Sequence, residues 1–161
     1  MIIDIYSGGK YPANALSNFA YHQFEFRGFK INSMEGFIAG LTYKNPIEQM
    51  RIFLLSGIEA KNSTKPWEMA GKVYWQGNEI IRCSQQYQDL FDEAYDALYT
   101  NADFRKALDS TKGHKLIHSI GHRDRMKTLL TEEEFVGRLT RLRDTGHSKE
   151  ILFESEELFK K

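Results

Sequence analysis

The chain has 161 residues, of which 41% are hydrophobic and 13% aromatic, which is enough for one globular domain with its own core. Basic and acidic residues number 22 each, and this balance argues against a general attraction to long nucleic acids or acidic membrane surfaces. One cysteine, no signal peptide pattern and no run of ~18 apolar residues lead us to expect a cytoplasmic protein without a membrane span.

The chain opens with two segments that carry the pattern of β-strands. Residues 2–6, IIDIY, are rich in β-branched side chains and are followed by the turn residues SGG. Residues 23–31 alternate around an Arg-Gly pair, which predicts a β-hairpin with a tight turn. Helix follows at once, because Asn32 or Ser33 can cap a helix that runs toward Tyr43.

Helices account for most of the remaining chain. Asn45 and Pro46 favour a helix start, since asparagine caps well and proline fits the first helical position. The predicted apolar stripe of this helix consists of Ile47, Met50, Phe53 and Leu54. Residues 67–82 are compatible with either a second hairpin or an ordered loop. Residues 85–99 carry apolar side chains on one face and form the clearest helix.

Two further helices complete the pattern. Asn101 restarts a helix, and Thr131 with Glu134 forms a capping box at the start of another. The fold class predicted from these elements is α+β, a mostly helical single domain with a small antiparallel sheet. We expect this domain to cover residues 1–145 and to be followed by a charged C-terminal tail over residues 146–161.

Glu35 lies in an almost uncharged stretch, NSMEGFIAG, residues 32–40. With Asn32 as the cap, Glu35 would be the third helical residue, and its carboxylate could bond back to the cap in a capping box. The same geometry also suits chemistry, because a rigid carboxylate among apolar neighbours stabilises a positive charge that forms beside it. The residues themselves leave both interpretations open.

Two loops contain candidates for binding. Asn18, in ALSNFA, could present its amide to a sugar or base while Phe19 offers a ring face, or the segment could simply be a turn with a core plug. Arg123 and Arg125, in HRDRMK, could hold a phosphate through forked hydrogen bonds, or they could lie in a solvated loop.

Aromatic and histidine side chains are open to more than one interpretation as well. The aromatic residues of the 67–82 segment, Trp67, Tyr74 and Trp75, are core residues by default but could stack on a flat base. Histidines at positions 114, 118 and 122 would share one face of an unbroken helix and could hold zinc. Because glycines bracket the run and no further ligand completes the set, no metal site is predicted.

The motifs occur in an order that resembles the NADAR family, which includes YbiA-like N-glycosidases. In this sequence ALSNFA, the hairpin with RG, NSMEGFIAG, a Trp-containing segment and FRKALDST follow one another. The resemblance covers about residues 5–143 and is most specific at residues 16–19 and 33–39. It implies a YbiA-like fold and cleavage of a bond between ribose C1 and a nitrogen, on phosphorylated ribosylamino-pyrimidines of riboflavin synthesis or on ADP-ribose attached to guanine.

The resemblance also implies roles for particular residues. Glu35 matches the family's catalytic glutamate, and Asp124 is a partial counterpart of a later aspartate. Many relatives carry a lysine two turns after the glutamate, where this sequence has Thr42. The residues predicted to bind substrate are Ser17, Asn18, Phe19, Trp75, Arg82, Arg123 and Arg125.

The leading prediction is therefore hydrolysis of the N-ribosyl bond of a phosphorylated ribosyl-base or an ADP-ribose-like nucleotide. Glu35 would stabilise the cationic ribose or draw a proton from the attacking water, and no metal or organic cofactor is required. The alternatives are an ADP-ribosyl hydrolase acting on a modified nucleobase, a non-catalytic module that binds ADP-ribose-like nucleotides, and a protein-interaction domain. The expected partner is a small-molecule nucleotide, and the sequence leaves the oligomeric state open.

Overall fold

The computed structural model describes residues 1–150, so most of the predicted tail, residues 151–161, lies outside the described residues. Six strands and seven helices occur within the described part. The strands are β1 (Ile2–Asp4), β2 (Phe24–Phe26), β3 (Phe29–Ile31), β4 (Lys72–Trp75), β5 (Asn78–Ile81) and β6 (Lys115–Ile117). The helices are α1 (Ala13–Leu16), α2 (Met34–Gly40), α3 (Pro46–Ile52), α4 (Gly57–Asn62), α5 (Gln85–Leu98), α6 (Ala102–Asp109) and α7 (Glu132–Thr145).

The strands form three separate pairs, which confirms the α+β class and adds a parallel component to it. Strands β2 and β3 form one antiparallel hairpin, and β4 and β5 form a second one in the segment that the sequence left ambiguous. Strand β1 pairs in parallel with β6, with Ile2 opposite Lys115. Because parallel strands end at the same edge, the loops that follow β1 and β6 come together although they are more than 100 residues apart.

Both hairpins turn through two successive residues with positive φ. The first turn uses Arg27 at 51° and Gly28 at 85°, and the second uses Gln76 at 47° and Gly77 at 87°. Positive φ at both central residues is the type I′ geometry, whose twist matches that of the flanking strands. The glycine in each turn meets this requirement without the steric cost that a Cβ atom would impose.

The sequence offered Asn32 or Ser33 as the cap of α2, and only one of them takes that role. Ser33 is the cap: its Oγ accepts a hydrogen bond from the Gly36 N–H at 2.9 Å and donates one to the Leu55 carbonyl at 2.8 Å. Glu35 is therefore the second helical residue, and the capping box predicted with Asn32 does not form. A capping box needs its acidic residue at the third position, which is occupied here by a glycine.

The apolar stripe predicted for α3 is wrong. Three of its four residues are substantially exposed: Ile47, Met50 and Leu54. Instead, α3 turns Gln49 inward, where its amide nitrogen donates to the carbonyls of Gly40 and Tyr74 at 3.0 and 2.8 Å. The helix is oriented by these buried hydrogen bonds to the end of α2 and to β4, and hydrophobic spacing could not reveal them.

Helix α5 buries one face in the core, as its sequence pattern predicts. All six apolar residues of its predicted face are buried: Tyr87, Leu90, Phe91, Ala94, Tyr95 and Leu98. Helix α7 packs against it and begins with the predicted capping box between Thr131 and Glu134. Among residues 1–150, no helix has both the length and the apolar character needed to cross a bilayer.

Gly36 sets how closely α2 approaches the connection between α3 and α4. A Cβ atom at this position would lie 2.5 Å from the Leu55 carbonyl oxygen, which belongs to the backbone and cannot rotate away. We expect Gly36→Ala to lower the free energy of unfolding by about 1–3 kcal/mol, as overpacking typically does. Chemical denaturation monitored by circular dichroism measures this change.

Gly137 in α7 provides the matched control. A Cβ atom there would meet only the flexible side chain of Arg141. Gly137→Ala should therefore leave stability unchanged or raise it by about 0.5–1 kcal/mol. Equal stabilities for the two variants would contradict the tight seating of α2.

Candidate active site

A cavity of about 550 Å³ lies between the start of α2, helix α4 and the loops that follow β1 and β6. Its volume is in the range of small-molecule sites. Tyr6 and Ser7 reach it from the first loop, and the segment 118–122 contributes from the loop after β6. The parallel pairing of β1 with β6 therefore assembles one wall, and α2 with α4 supplies the other.

The predicted group around Glu35 comes together in this cavity. Ser17, Asn18, Phe19 and Glu35 all line it. The backbone N–H of Glu35 donates to the Asn18 carbonyl at 2.9 Å, and the Phe19 carbonyl accepts from the Gly57 N–H at 3.0 Å. The loop is thus held by the first turn of α2 on one side and by the start of α4 on the other.

The carboxylate of Glu35 is free for chemistry within the described part of the chain. No residue among 1–150 donates a hydrogen bond to it, although the side chain is half-buried between apolar neighbours. Burial raises the pKa of Glu35, and the nearby Lys61 ammonium partly opposes that rise. Burial penalises the charged form, and an unpaired carboxylate in a cleft is a recurring property of catalytic acids and bases.

Tyr95 fixes the amide of Asn18. Its hydroxyl donates to Asn18 Oδ1 at 2.7 Å, and the tyrosine is fully buried in α5. Burial raises the pKa of Tyr95 well above its ordinary value, so the hydroxyl remains a proton donor. With Oδ1 used in this bond, the NH2 group of Asn18 is left as a donor for a ligand in the cavity.

Basic side chains that the sequence reasoning did not assign to the site line the same cavity. They are Lys61, Lys127, His118 and His122. Lys61 is the notable omission, because its charge acts on Glu35. Thr42, at the position where the resemblance led us to expect a lysine, is buried and donates to the Ala39 carbonyl at 2.6 Å. The cation that acts on Glu35 therefore comes from α4. No sequence motif around residue 61 indicates that Lys61 belongs to the site.

Trp75 lies away from the cavity. Its ring packs edge-to-face against Phe26 and Phe29 and stacks on Phe53, with the Arg27 guanidinium 5.1 Å from its centroid. It therefore belongs to the aromatic core beneath the first hairpin, and its predicted contact with a base has no geometric basis. Trp67, from the same segment, does line the cavity.

Arg82 is likewise committed elsewhere. Its side chain is 1% exposed and donates to both carboxylate oxygens of Glu134, at 3.0 and 2.5 Å, and to the Thr128 carbonyl at 3.1 Å. The guanidinium also lies 4.5 Å from the ring centroid of Tyr87. These contacts leave no face for the phosphate that the sequence analysis assigned to it.

The predicted residues of HRDRMK also point away from the cavity. Arg123 is 89% exposed at its side chain and lies 3.5 Å from Glu132, and Arg125 lies 3.8 Å from Glu134. Asp124 uses its Oδ1 to accept the Met126 N–H at 2.9 Å, which closes a local turn. Their neighbours His122 and Lys127, at the two ends of this run, line the cavity instead.

A second, larger groove of about 780 Å³ runs between α5 and α7. The charged groups at its centre are paired with protein groups: Arg138 donates to Asp92 at 3.0 Å and to the Gln88 amide oxygen at 2.8 Å. Such internal pairing leaves little unused hydrogen-bonding capacity for a ligand. Within residues 1–150, no three His, Cys, Asp or Glu side chains gather where they could hold a metal ion. The three histidines do not share a helical face, because residues 115–117 form β6.

The chain is similar to a known protein family, to a phage protein and to a solved structure. A family described as bacteriophage protein GP30.3 matches residues 10–144. An uncharacterized 17.1 kDa protein from the Gp30–rIII intergenic region of Enterobacteria phage T4 is 38% identical over 148 residues, covering 89% of this chain and 97% of that protein. The solution NMR structure of the E. coli protein YbiA has a TM-score of 0.58 at 16% identity, covering 98% of this chain and 88% of that one. The YbiA-like fold predicted from the sequence is thereby confirmed.

The ion pair of Arg82 with Glu134 predicts a specific acid sensitivity. Burial raises the pKa of Glu134, but hydrogen bonds from Arg82, Gln88 and the Thr131 backbone outweigh it and bring the value to about 2. A depressed pKa gives stability that is present above the unfolded value, 4.5, and is lost as pH falls toward 2. Glu134→Gln, which retains a capping side chain but not the charge, should lose about 3–5 kcal/mol at pH 7.

Urea denaturation of both proteins between pH 7 and pH 2 tests this. The gap between wild type and Glu134→Gln should narrow below about pH 4.5, because Glu134 takes up a proton in the unfolded chain but stays ionised in the folded protein until pH nears 2. Glu133→Gln, in the same turn but exposed, serves as the control and should cost less than about 1 kcal/mol. A gap that stays constant with pH would count against the ion pair.

Glu35 predicts the opposite dependence of stability on pH. Because its folded-state pKa is raised, the folded protein retains the Glu35 proton to higher pH than the unfolded chain, and stability falls as pH rises above about 4.5. Glu35→Gln should therefore have a higher melting temperature than wild type at pH 8, and the two should converge below pH 4.5. The exposed Glu25→Gln should show no such difference. A destabilised Glu35→Gln at pH 8 would mean that the carboxylate serves the fold.

Proposed function

Because the chain belongs to the bacteriophage GP30.3 family and has the YbiA-like fold, we propose that it is an N-glycosidase of N-ribosyl bonds. The substrate is a phosphorylated ribosyl-base or an ADP-ribose-like nucleotide, of the kind found among riboflavin intermediates. The observation that carries the proposal is the half-buried Glu35 carboxylate, which lines a cavity beside Asn18 without a hydrogen-bond partner among residues 1–150. The reaction needs no cofactor and is expected in the cytoplasm.

The proposed reaction develops positive charge on the sugar. As the base departs, charge spreads over ribose C1 and the ring oxygen, and a fixed carboxylate close by lowers the energy of that state. Glu35 then accepts a proton from the attacking water. The Lys61 ammonium opposes the rise in the pKa of Glu35 that burial causes, and so favours the ionised form that both roles require.

The remaining wall residues suit the other parts of such a substrate. The NH2 group of Asn18, oriented by Tyr95, is a donor for a ribose hydroxyl. Phe19, Tyr6 and Trp67 offer aromatic surface to the base in place of Trp75. Lys127 and His122 take the phosphate role first assigned to Arg82, Arg123 and Arg125.

A module that binds ADP-ribose-like nucleotides without cutting them is the second candidate. One observation favours it: Thr42, buried and hydrogen-bonded, stands where many relatives have a lysine. In that case the cavity would bind the same ligands, and Glu35 would contact the sugar without chemistry. The alternative enzyme reaction, removal of ADP-ribose from a modified nucleobase, would use the same site and differ from the leading proposal only in its substrate.

Replacement of Glu35 by glutamine tests the enzyme proposal directly. Glutamine keeps the size and hydrogen-bonding groups but removes the charge, so base release should fall by ~10²–10³-fold, as for loss of one well-placed electrostatic group. A mass-spectrometric screen of phosphorylated ribosyl-bases and ADP-ribosylated bases measures release by both proteins. Glu25→Gln, an exposed change on β2, is the control and should keep full turnover.

The outcomes separate the candidates. Near-wild-type turnover in Glu35→Gln would end the assignment of Glu35. Tight binding by calorimetry, with intact ligand recovered after hours from the wild-type protein, would support the binding module instead. Retained melting temperature in Glu35→Gln excludes loss of folding as the cause of lost turnover.

A further inference from the structure

His118 lines the cavity from the loop that follows β6, whereas Glu35 lines it from the start of α2. The His118 ring packs edge-to-face on Phe135 of α7, with centroids 5.2 Å apart. Phe135 lines the same cavity, although it comes from a different part of the chain. The ring is therefore held at the site by packing, on a different element from the one that carries Glu35.

The hydrogen bonds of His118 determine which nitrogen can exchange a proton. Nδ1 lies 2.6 Å from the carbonyl oxygen of Ile5. A carbonyl oxygen can only accept, so Nδ1 is the donor in this bond and Nε2 is the ring nitrogen left for a ligand. No residue among 1–150 forms a hydrogen bond with Nε2.

The edge of the ring that carries Nε2 lies beside Gly121. A Cβ atom on Gly121 would lie 2.6 Å from Cδ2 of His118, the ring carbon bonded to Nε2. Gly121 itself lines the cavity, so the absence of a side chain there keeps this edge of the imidazole open. A polar atom held open in this way is available to a ligand.

The backbone around His118 is anchored by acidic groups from two elements. The His118 N–H donates to Glu132 of α7 at 2.9 Å, and the Ser119 N–H donates to Asp4 of β1 at 3.0 Å. The other charged or titratable groups that share the cavity with the imidazole are Glu35, Glu68, Lys61, Lys127, His122 and Tyr6. The loop is thus tied to both strands of the parallel pair and to α7, which limits movement of the ring.

We propose that His118 is the general acid that protonates the departing base, an inference that rests on the proposed function. In this step the bond from ribose C1 to the base nitrogen breaks, and its electron pair stays on the nitrogen, which takes the proton from Nε2. The water oxygen bonds to C1 and gives its proton to Glu35. Solvent then returns a proton from Glu35 to His118, so atoms and charges balance.

Two separate groups are needed because the two proton transfers occur on opposite sides of the sugar. Glu35 serves the side from which water attacks, and a base that leaves as an anion is a poor leaving group without a proton. A base that departs as a neutral molecule, such as the nicotinamide of a ribosyl-pyridinium, needs no proton. The role of His118 is therefore visible in the dependence of rate on the leaving group.

The test compares two kinds of phosphorylated substrate with wild type and His118→Asn. Asparagine retains a donor near the Nδ1 position for the Ile5 carbonyl but removes Nε2. Turnover of pyrimidine and purine ribonucleotides should fall by ~10²–10⁴-fold, the usual contribution of a general acid. Turnover of nicotinamide mononucleotide should stay within a few-fold of wild type, and the limb of the pH profile that depends on the acid should disappear.

His22→Gln is the matched control. His22 also bonds a backbone carbonyl, that of Ala15 at 2.7 Å, and packs on Phe104, but it does not line the cavity. It should leave turnover of both substrates unchanged. His118→Gln and the melting temperatures of all variants guard against an effect on folding.

Each outcome of this experiment supports or overturns the assignment of His118 as the general acid. Equal losses on both substrates, or no loss on either, in a folded His118 variant would overturn the assignment while leaving the N-glycosidase proposal standing. Wild-type protein that releases base from neither kind of substrate would overturn both. A loss confined to the ribonucleotides, absent in His22→Gln, supports His118 as the acid.

Discussion

One backbone hydrogen bond, from the N–H of Glu35 to the carbonyl of Asn18, determines the geometry of the site. The first turn of any helix has N–H groups without partners inside the helix. Here the Ser33 side chain satisfies Gly36, and the Asn18 carbonyl satisfies Glu35. Because both donors are served by other groups, the Glu35 carboxylate is not used as a cap. The same bond holds Asn18 and Phe19 against the helix start, so the motif from residues 16–19 and the glutamate occupy one cavity.

The opposite wall depends on a contact of much longer range. Pairing of β1 with β6 brings residues 2–4 against 115–117, and the loops beyond them carry Tyr6 and His118 into the cavity. Phe135 of α7 lies behind both His118 and Tyr95. Helices α5 and α7 therefore support both walls of the cavity, through Tyr95 and Phe135.

The sequence correctly predicted several features that depend on residues close together along the chain. The Asn45-Pro46 start, the apolar face of α5 and the 131–134 capping box rest on local chemistry and were confirmed. The motif order also identified the NADAR-type family correctly. It could not predict partners distant in sequence: Arg82 meets Glu134 across 52 positions, and α4 carries Lys61 to Glu35 only after folding. Helical spacing misled at the three histidines, because a strand separates them.

Arg82 supports the site indirectly, because it holds in place a loop that lines the cavity. It binds the Thr128 carbonyl, and the neighbouring Tyr87 hydroxyl donates to the Leu129 carbonyl. These two bonds secure the end of the loop whose earlier residues, His122 and Lys127, line the cavity. A buried ion pair contributes little net stability over apolar packing, but breaking it leaves an uncompensated charge. The pair is therefore best understood as fixing the position of this loop, and with it His122 and Lys127 in the cavity wall.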